Sequence, residues 1–307
     1  MKRLLTIALC FFLIQFAHAQ TDVDAIMMNK KLFCVGAMYS HSSWKDYWEG
    51  DFKRNNENLG TVSTQMVGLM GSYGITNKLN VLFGVPYVKT NATAGTLKGL
   101  KGVQDLSVML KWKALTLPVN AKSKISVFGV AGVSTPLTDY VADFLPLSIG
   151  MHSTNLNLRA MVDYQYGKFF TTVAGNYMFR SNVEIDRDSY YDDQLHETNK
   201  VDMPNVAGFN VRAGYRSKSW IAEGVLDNMT TVSGTDIRKN DMPFLTNKMD
   251  ATMVGVNFKY SFLKRLRGLE LTGGARYTIA GRNVGQSTMF NGGFFYILNF
   301  NKKNPKS

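Results

Sequence analysis

The sequence predicts an all-β protein: a transmembrane antiparallel β-barrel of about twelve strands, with long extracellular loops and short periplasmic turns. Beyond residue 20, apolar and polar residues alternate with a period of two, as in strands with one apolar and one polar face. Long and short connections also alternate along the chain, which is the plan of an outer-membrane barrel. The longest apolar run, 4–14, is too short for a membrane-crossing helix, which needs about 20 residues.

The start of the 307-residue chain has the features of a secretory signal peptide. Two basic residues precede the apolar run, and the cleavage motif Ala17-His18-Ala19 follows it. The mature chain keeps one cysteine, Cys34, so an intramolecular disulfide is not expected. The expected parts are a signal peptide at 1–19, an outer-membrane barrel at 20–300 and a short basic periplasmic tail at 301–307.

The fourth predicted strand illustrates the alternation on which the others are also based. Leu106, Val108 and Leu110 share one face, and Lys111 and Lys113 share the other. The twelve predicted strands are 31–40, 61–73, 79–90, 103–113, 124–135, 150–166, 169–180, 204–216, 220–232, 249–261, 269–282 and 288–300. The predicted short connections are 74–78, 114–123, 167–168, 217–219 and 262–268, and the other connections are long except 283–287.

A soluble β-sandwich would alternate in the same way, but two features favour a barrel. The apolar faces end in aromatic residues such as Trp112 and Tyr164, which form girdles at the two membrane interfaces. The opposite faces carry full charges in mid-strand, at Arg159, Arg212 and Arg276. The dry core of a sandwich would reject those charges, whereas a wet lumen accepts them.

The register of the strands predicts which side chains line the lumen and which face lipid. Val254, Val256 and Phe258 are expected to face acyl chains. Inward-facing cations outnumber inward-facing carboxylates by three, which predicts a weakly anion-favouring interior. Opposite charges on neighbouring strands could also pair across the wall. The candidate lumen residues are Lys111, Arg159, Arg212, Arg216, Glu223, Asp227, Lys259 and Arg276, and the same register places Lys113, Arg180, Asp105, Asp163 and Glu270 inside.

The net charge of +12 does not indicate a nucleic-acid-binding protein. The excess lies in the short turns and the tail, at one rim of the barrel, without a groove-reading motif. Lipid head groups are candidate partners for this rim, and simple solvation of turn lysines is the alternative.

The last predicted strand resembles the C-terminal signal that the barrel assembly machinery reads during insertion. The pattern is a polar residue, a glycine and alternating apolar residues that end in an aromatic, here Asn291, Gly293, Tyr296, Leu298 and Phe300. The tail 301–307 departs from it, because most such barrels stop at the aromatic. We expect this machinery as a partner.

Two neighbouring segments carry a family resemblance. The segment 73–87, YGITNKLNVLFGVPY, contains a G-x-T-N turn and an alternating strand that ends in Pro-Tyr. The segment 102–112, GVQDLSVMLKW, opens the next strand, with Gln104 where a second glycine is usual. Together they resemble the outer-membrane transporters grouped with the MetA-like proteins of phenol degradation. The resemblance implies one barrel without an enzyme site that moves small, often hydrophobic molecules. Relatives of the fatty-acid channel carry a plug of some forty residues, which the eleven residues before the first strand cannot supply.

The sequence offers little catalytic or metal-binding chemistry. His152 and Ser153 are adjacent, so on a strand they would point to opposite faces and could not share a proton. The loop 181–203 is acidic, but Asp186, Asp188, Asp192 and Asp193 lack the glycine and closing glutamate of a calcium loop. We expect no enzyme activity, metal or cofactor.

Trp44, Tyr47 and Trp48 in the first long loop are candidates for a capture patch at the mouth. The alternative is that they pack the loop onto the barrel rim.

We interpret the chain as an outer-membrane channel or transporter for small, hydrophobic or anionic organic molecules in a Gram-negative bacterium. The alternative is a non-transporting structural or adhesion barrel whose long loops bind partners.

Overall fold

The computed structural model describes residues 21–238 and 241–300. The predicted signal peptide and basic tail lie outside these residues. Twelve long antiparallel strands form one closed barrel, so the predicted fold class is confirmed. The strands are β1 (Leu32–Trp44), β2 (Val62–Gly74), β3 (Leu79–Ala92), β4 (Asp105–Asn120), β5 (Ser123–Pro136), β6 (Asn155–Tyr166), β7 (Phe169–Arg180), β8 (Val206–Arg216), β9 (Trp220–Thr231), β10 (Asp250–Ser261), β11 (Leu269–Arg282) and β12 (Thr288–Asn299).

Each barrel strand pairs with its neighbours in the chain, and the first pairs with the last. Leu32 lies opposite Asn299 and Ser43 lies opposite Thr288, so β1 and β12 are in register along almost their whole length. Closure leaves no sheet edge, and the wall strands bond to one another as a bilayer requires.

The predicted ten-residue connection at 114–123 is wrong. β4 continues to Asn120 and β5 begins at Ser123, so the turn between them is tight. The pairing shifts between Lys113 and Leu115 and again between Pro118 and Asn120. Proline has no N–H to give to the ladder and is tolerated where such an irregularity interrupts it. The interrupted alternation therefore conceals a continuous strand.

The loops on the extracellular side contain further short strands. One hairpin stands in the first loop, and two short pairs form in the loop 181–205, while Lys101–Val103 adds to β3. The first predicted strand ends too early, since β1 continues to Trp44. The additional paired segments are Asp46–Glu49 with Phe52–Asn55, Val183–Glu184 with Lys200–Val201, and Tyr190–Tyr191 with Leu195–His196.

The outer surface of the wall is apolar and the inner surface is polar. On β10, Val254, Val256 and Phe258 are exposed on the outside, while the side chain of Asn257 hydrogen-bonds to Glu223 inside. Among the residues that the structure describes, no helix is long and apolar enough to span a membrane.

The end of the β4–β5 hairpin differs from the rest of the wall. Every residue from Leu115 to Asn120 is exposed, on both faces of the strand. This end therefore extends beyond the barrel body on the side of the short turns.

We predict that a charge on the lipid face destabilises the barrel in proportion to its depth. Val256 is 60% exposed on the outer wall, and Val256→Arg should cost about 2–4 kcal/mol near the midplane. Leu117 is 56% exposed but lies on the projecting hairpin end, so Leu117→Arg should cost only about 0–1 kcal/mol. Urea unfolding in phospholipid vesicles measures both, and equal costs would contradict the assignment of the lipid face.

Candidate functional site

The lumen is the candidate functional site, and its wall is built from paired charges. Arg212 donates a hydrogen bond to Glu223 at 2.8 Å. Asn257 also donates to Glu223, at 2.6 Å, and accepts one from Arg276 at 2.9 Å. Arg276 donates its Nε–H to Asp227 at 3.0 Å. These five side chains from β8 to β11 form one network, which neutralises the charge of this part of the wall.

A second wall pair lies on β6 to β8. The guanidinium of Arg216 approaches the carboxylate of Asp163 at 3.4 Å and stacks 3.9 Å from the centre of the Phe170 ring. Thr172 donates a hydrogen bond to Asp163 at 2.6 Å. The ring contact and the hydroxyl fix both members of this pair against the wall.

Lys259 lies on the inward face of β10, and its positive charge acts on the carboxylate of Asp24, which precedes β1. Glu270 is fully buried and accepts a hydrogen bond from the Ser261 hydroxyl at 2.6 Å.

The eleven residues before β1, which we call the N-terminal segment (21–31), enter the lumen. At the rim, Lys31 donates its backbone N–H to the Gly74 carbonyl at 2.7 Å, next to a short turn. From there the segment runs inward, and Asn80 donates a hydrogen bond to the Met28 carbonyl at 2.8 Å. The segment therefore occupies the lumen from the short-turn side.

Asp24 holds the inner end of the segment to β4. Lys111 donates from Nζ to Asp24 Oδ1 at 2.9 Å and to the Thr21 carbonyl at 2.8 Å. The Lys111 side chain is completely buried. Asp24 also accepts hydrogen bonds from the backbone of Thr21 and of Ile26, which fixes its carboxylate. A buried lysine needs such a partner, because an unpaired buried charge is very costly.

Asp22 holds the segment to β6. Arg159 donates from Nη1 to Asp22 Oδ2 at 2.6 Å. The two ion pairs connect the segment to strands that lie two positions apart in the wall. The segment is therefore fixed to two strands of the wall rather than to one.

Apolar contacts fill the space beneath these pairs. Ala25 and Met27 pack against a buried cluster that includes Phe128 and Met161. Met28 is fully buried in a second cluster, with Phe295. Side chains of the segment therefore pack against the inner wall at this depth.

The pKa of Asp24 reflects this environment. Burial raises the pKa of a carboxyl, but here the Lys111 ammonium outweighs it, helped by Lys259 and by hydrogen bonds from Lys111 and Thr21. The net effect holds the pKa of Asp24 well below its ordinary value of 3.8.

The segment changes the charge of the lumen. The register predicted from the sequence gives an excess of three positive charges on the inner wall, and Asp22 and Asp24 on the segment reduce this predicted excess to one. Both carboxylates were missed by the sequence reasoning, because they lie outside any alternating strand and their partners are far away in the chain. Lys111 and Arg159 have these carboxylates as partners, while Arg212, Arg216 and Arg276 pair within the wall.

At the extracellular mouth, the aromatic residues of the first loop pack against the rim. Trp44 and Tyr47 have ring centres 6.1 Å apart. The Trp44 ring covers Gly285, and the Trp48 ring lies over Gly281 at the end of β11. All three side chains are half-buried. This placement agrees with the packing alternative, and a role in capture stays a prediction.

The other loops interlock over the mouth. Leu147, in the loop 137–154, is fully buried in a cluster with Leu59 and Val62. The same loop contributes Ala142 to a second cluster, with Leu245 from the loop 232–249. One loop therefore contacts elements on both sides of the mouth and holds the rim in one arrangement.

The adjacent residues His152 and Ser153, which were considered for catalysis, have different partners. Ser153 donates a hydrogen bond to Asn155 at 2.8 Å, whereas the His152 ring packs edge-on against Tyr140. The two adjacent side chains are thus engaged separately.

In the acidic loop, ligand atoms of Asp192, Asp193 and His196 lie within 4.8 Å of one another, without Asp186 or Asp188. Burial raises the pKa of Asp192, but hydrogen bonds from Asp193 and His196 lower it to about 2. Exposed acidic groups of this kind are common without a metal, so the expectation of no metal stays a prediction.

Comparisons with known proteins identify relatives of this barrel. The model of the family described as "Putative MetA-pathway of phenol degradation" matches residues 55–294. An outer-membrane channel from Pseudomonas putida F1 has a TM-score of 0.70 at 15% identity, over 92% of this chain and 100% of that chain. At this identity the likeness shows the fold alone.

Other solved barrels are more distant. The translocator domain of the autotransporter NalP from Neisseria meningitidis has a TM-score of 0.45 at 7% identity, over 89% of this chain and 90% of that chain. OprD from Pseudomonas aeruginosa has a TM-score of 0.40 at 9% identity, over 94% of this chain and 100% of that chain. None of the curated proteins compared with the chain matches it.

We predict that the Trp44 ring needs a glycine at position 285. A Cβ on Gly285 would overlap this ring, so Gly285→Val should displace it and cost about 1–3 kcal/mol through overpacking. Tryptophan emission should shift to the red and become easier to quench with iodide. Gly175→Val is the control, because a Cβ there meets nothing within 4 Å. An unchanged spectrum in Gly285→Val would contradict the packing role of Trp44.

Proposed function

The chain belongs to the family described as "Putative MetA-pathway of phenol degradation", as the segments 73–87 and 102–112 predicted, and on that premise we propose that it is an outer-membrane channel for small organic molecules, hydrophobic or anionic. We further propose that the N-terminal segment is its gate. The channel from Pseudomonas putida F1, whose fold it shares, supports the first proposal.

One observation supports the proposal of a gate: two cationic side chains in the lumen pair with carboxylates of the N-terminal segment instead of with carboxylates of the wall. Asp24 pairs with Lys111, and Asp22 pairs with Arg159. The segment contributes no strand to the barrel, so it can leave without breaking the ladder that closes the wall. Removing one partner of a buried pair costs about 3–5 kcal/mol if the other stays buried. In a lumen, departure of the segment instead lets water reach the lysine, which limits that cost.

The open state differs from the closed one in charge as well as in width. The network around Glu223 and the pair of Arg216 with Asp163 stay on the wall in both states. Departure of the segment uncovers Lys111 and Arg159 and restores the predicted excess of three inward positive charges. A lumen with added cations lowers the barrier for anions. The open channel should therefore favour anionic solutes, including organic acids.

We predict that Asp22→Asn together with Asp24→Asn opens the channel. The amides keep the size of the side chains but remove both charges, so the segment should leave and open probability should rise severalfold in planar-bilayer recordings. The control is Asp186→Asn with Asp188→Asn, which removes two charges from an exposed loop. Reversal potentials in a salt gradient should show anion preference in the open variant.

Two outcomes would contradict the proposal. Cation preference in the open variant would overturn the charge argument, and equal gating in both double variants would overturn the gate. If neither wild type nor variant conducts ions or passes small solutes in liposome swelling, the structural or adhesion alternative replaces the channel.

The ion pairs also support an assignment of the lumen cations that cause the anion preference. Arg212 and Arg276 are neutralised by wall carboxylates, so Lys111 and Arg159 should carry most of it. We predict that adding Lys111→Gln and Arg159→Gln to the Asp22→Asn, Asp24→Asn variant keeps the channel open and weakens anion preference strongly, because it removes the two uncovered cations. Adding Arg212→Gln and Arg276→Gln instead removes the same number of charges but leaves Lys111 and Arg159 uncovered, so it should weaken the preference less. Planar-bilayer recordings of the two variants in the same salt gradient give the two reversal potentials that test these expectations.

The gate should resist mild acid. Because the pKa of Asp24 is lowered in the folded protein, its contribution to docking is present above about the ordinary value of 3.8 and is lost as pH falls through the lowered pKa. We predict that in Asp22→Asn, where Asp24 holds the segment alone, open probability is the same at pH 7.5 and at pH 4.5 and rises only in stronger acid. Opening between pH 7 and pH 5 would contradict this assignment.

A further inference from the structure

A preformed cavity of about 310 Å³ lies on the extracellular side of the lumen. We call it the vestibule. The inward faces of β4, β6 and β7 form its floor, and the loop 137–154 forms its roof. Leu145, Ile149 and Met151 from the loop and Met178 from β7 give it an apolar side. Its volume is at the lower end of the range for ligand pockets, so it suits a single ring or a short chain.

Hydrogen bonds hold the roof in place. The Tyr140 hydroxyl donates to Asp105 at 2.5 Å and accepts from the backbone N–H of His152 at 3.1 Å. The buried clusters around Leu147 and Ala142 anchor the same loop from both sides. The vestibule is therefore a built feature rather than a gap between mobile loops.

Arg180 lines the vestibule and differs from the other lumen arginines. Its Nη1 contacts the Pro204 carbonyl at 3.4 Å, which is a weak hydrogen bond. Within residues 21–238 and 241–300, no carboxylate forms an ion pair with it, whereas Arg159 pairs with Asp22 and Arg212 with Glu223. A half-buried guanidinium without a counter-ion retains most of its five donors for a ligand, and its planar fork matches a carboxylate in a bidentate way.

Asp105, on the same vestibule, determines how an acid can lie there. Its carboxylate is engaged by Tyr140 and repels a second negative charge. A bound acid must therefore direct its carboxylate to Arg180 and its apolar body to the side formed by Met151 and Met178. A ligand with two acid groups would meet this repulsion, so a monocarboxylate is favoured.

We propose that the vestibule is a capture site for small monocarboxylates with an apolar body, and that Arg180 binds their carboxylate. This inference rests on the proposed channel function and adds a substrate class to it. An acid captured there lies on the extracellular side of the gate, from which Lys111 and Arg159 become accessible when the N-terminal segment leaves.

The test is a titration of the purified full-length barrel in detergent with benzoate, followed by calorimetry. Benzoate should bind, and Arg180→Gln should weaken it at least tenfold. Arg180→Lys keeps the charge but loses the fork, and should bind with intermediate affinity. Benzyl alcohol has the same ring without the carboxylate, and should bind weakly and equally to wild type and Arg180→Gln. The matched control is Arg238→Gln, since Arg238 is an exposed loop arginine that contacts Tyr191.

A second variant keeps the proposal testable if Arg180→Gln folds poorly. Met178→Trp fills the vestibule and retains Arg180, so benzoate binding should be lost there as well. The proposal is overturned if wild type does not bind benzoate, if Arg180→Gln binds it as tightly as wild type, or if benzyl alcohol binds as well as benzoate. Conductance is recorded separately in bilayers, so binding without conductance would contradict the channel alone, and conductance without benzoate binding would contradict the capture site alone.

Discussion

A bilayer offers no water to backbone N–H and C=O groups, and the pairing of β1 with β12 is what satisfies this constraint here. Once the sheet closes, every strand has one face towards lipid and one towards an enclosed space of fixed width. Apolar residues such as Val256 must then lie outside, and residues such as Asn257 must lie inside. The polar lumen, the loops at one end and the tight turns at the other all follow from that closure.

An enclosed polar space sets a second requirement, because inward charges need partners. The wall meets it locally at Arg212, Arg216 and Arg276, each with a carboxylate on a nearby strand. The wall does not supply a partner for Lys111 and Arg159, which depend on the N-terminal segment, or for Arg180, which borders the vestibule. Cations without a carboxylate partner on the wall therefore mark two places in the lumen. At one the N-terminal segment is expected to leave, and at the other a ligand is expected to bind.

The sequence predicted the wall well, because lipid outside and water inside impose a period of two that survives in each strand. It failed at 114–123, where two irregular pairings around Pro118 break the alternation without ending β4. It also failed for Asp22 and Asp24, whose partners lie 137 and 87 residues away. No periodic signal marks such a segment. The available hint was that two carboxylates stand directly after the expected cleavage site while the predicted lumen carries excess positive charge. The vestibule could not be predicted, because it depends on how the loop 137–154 folds back over the floor.

The seam between β1 and β12 also constrains the order of assembly. It joins Leu32 to Asn299, so the wall cannot be sealed until the last strand has been synthesised and brought back to the first. Contacts so distant in sequence form slowly, since the chain must lose much of its freedom before they form. The N-terminal segment leads directly into β1, and its partners on β4 and β6 lie closer to it in the chain than β12 lies to β1. If it docks first, the two ion pairs hold β1 close to the curling sheet and shorten the search for the seam. The N-terminal segment would then act as an internal template around which the barrel closes.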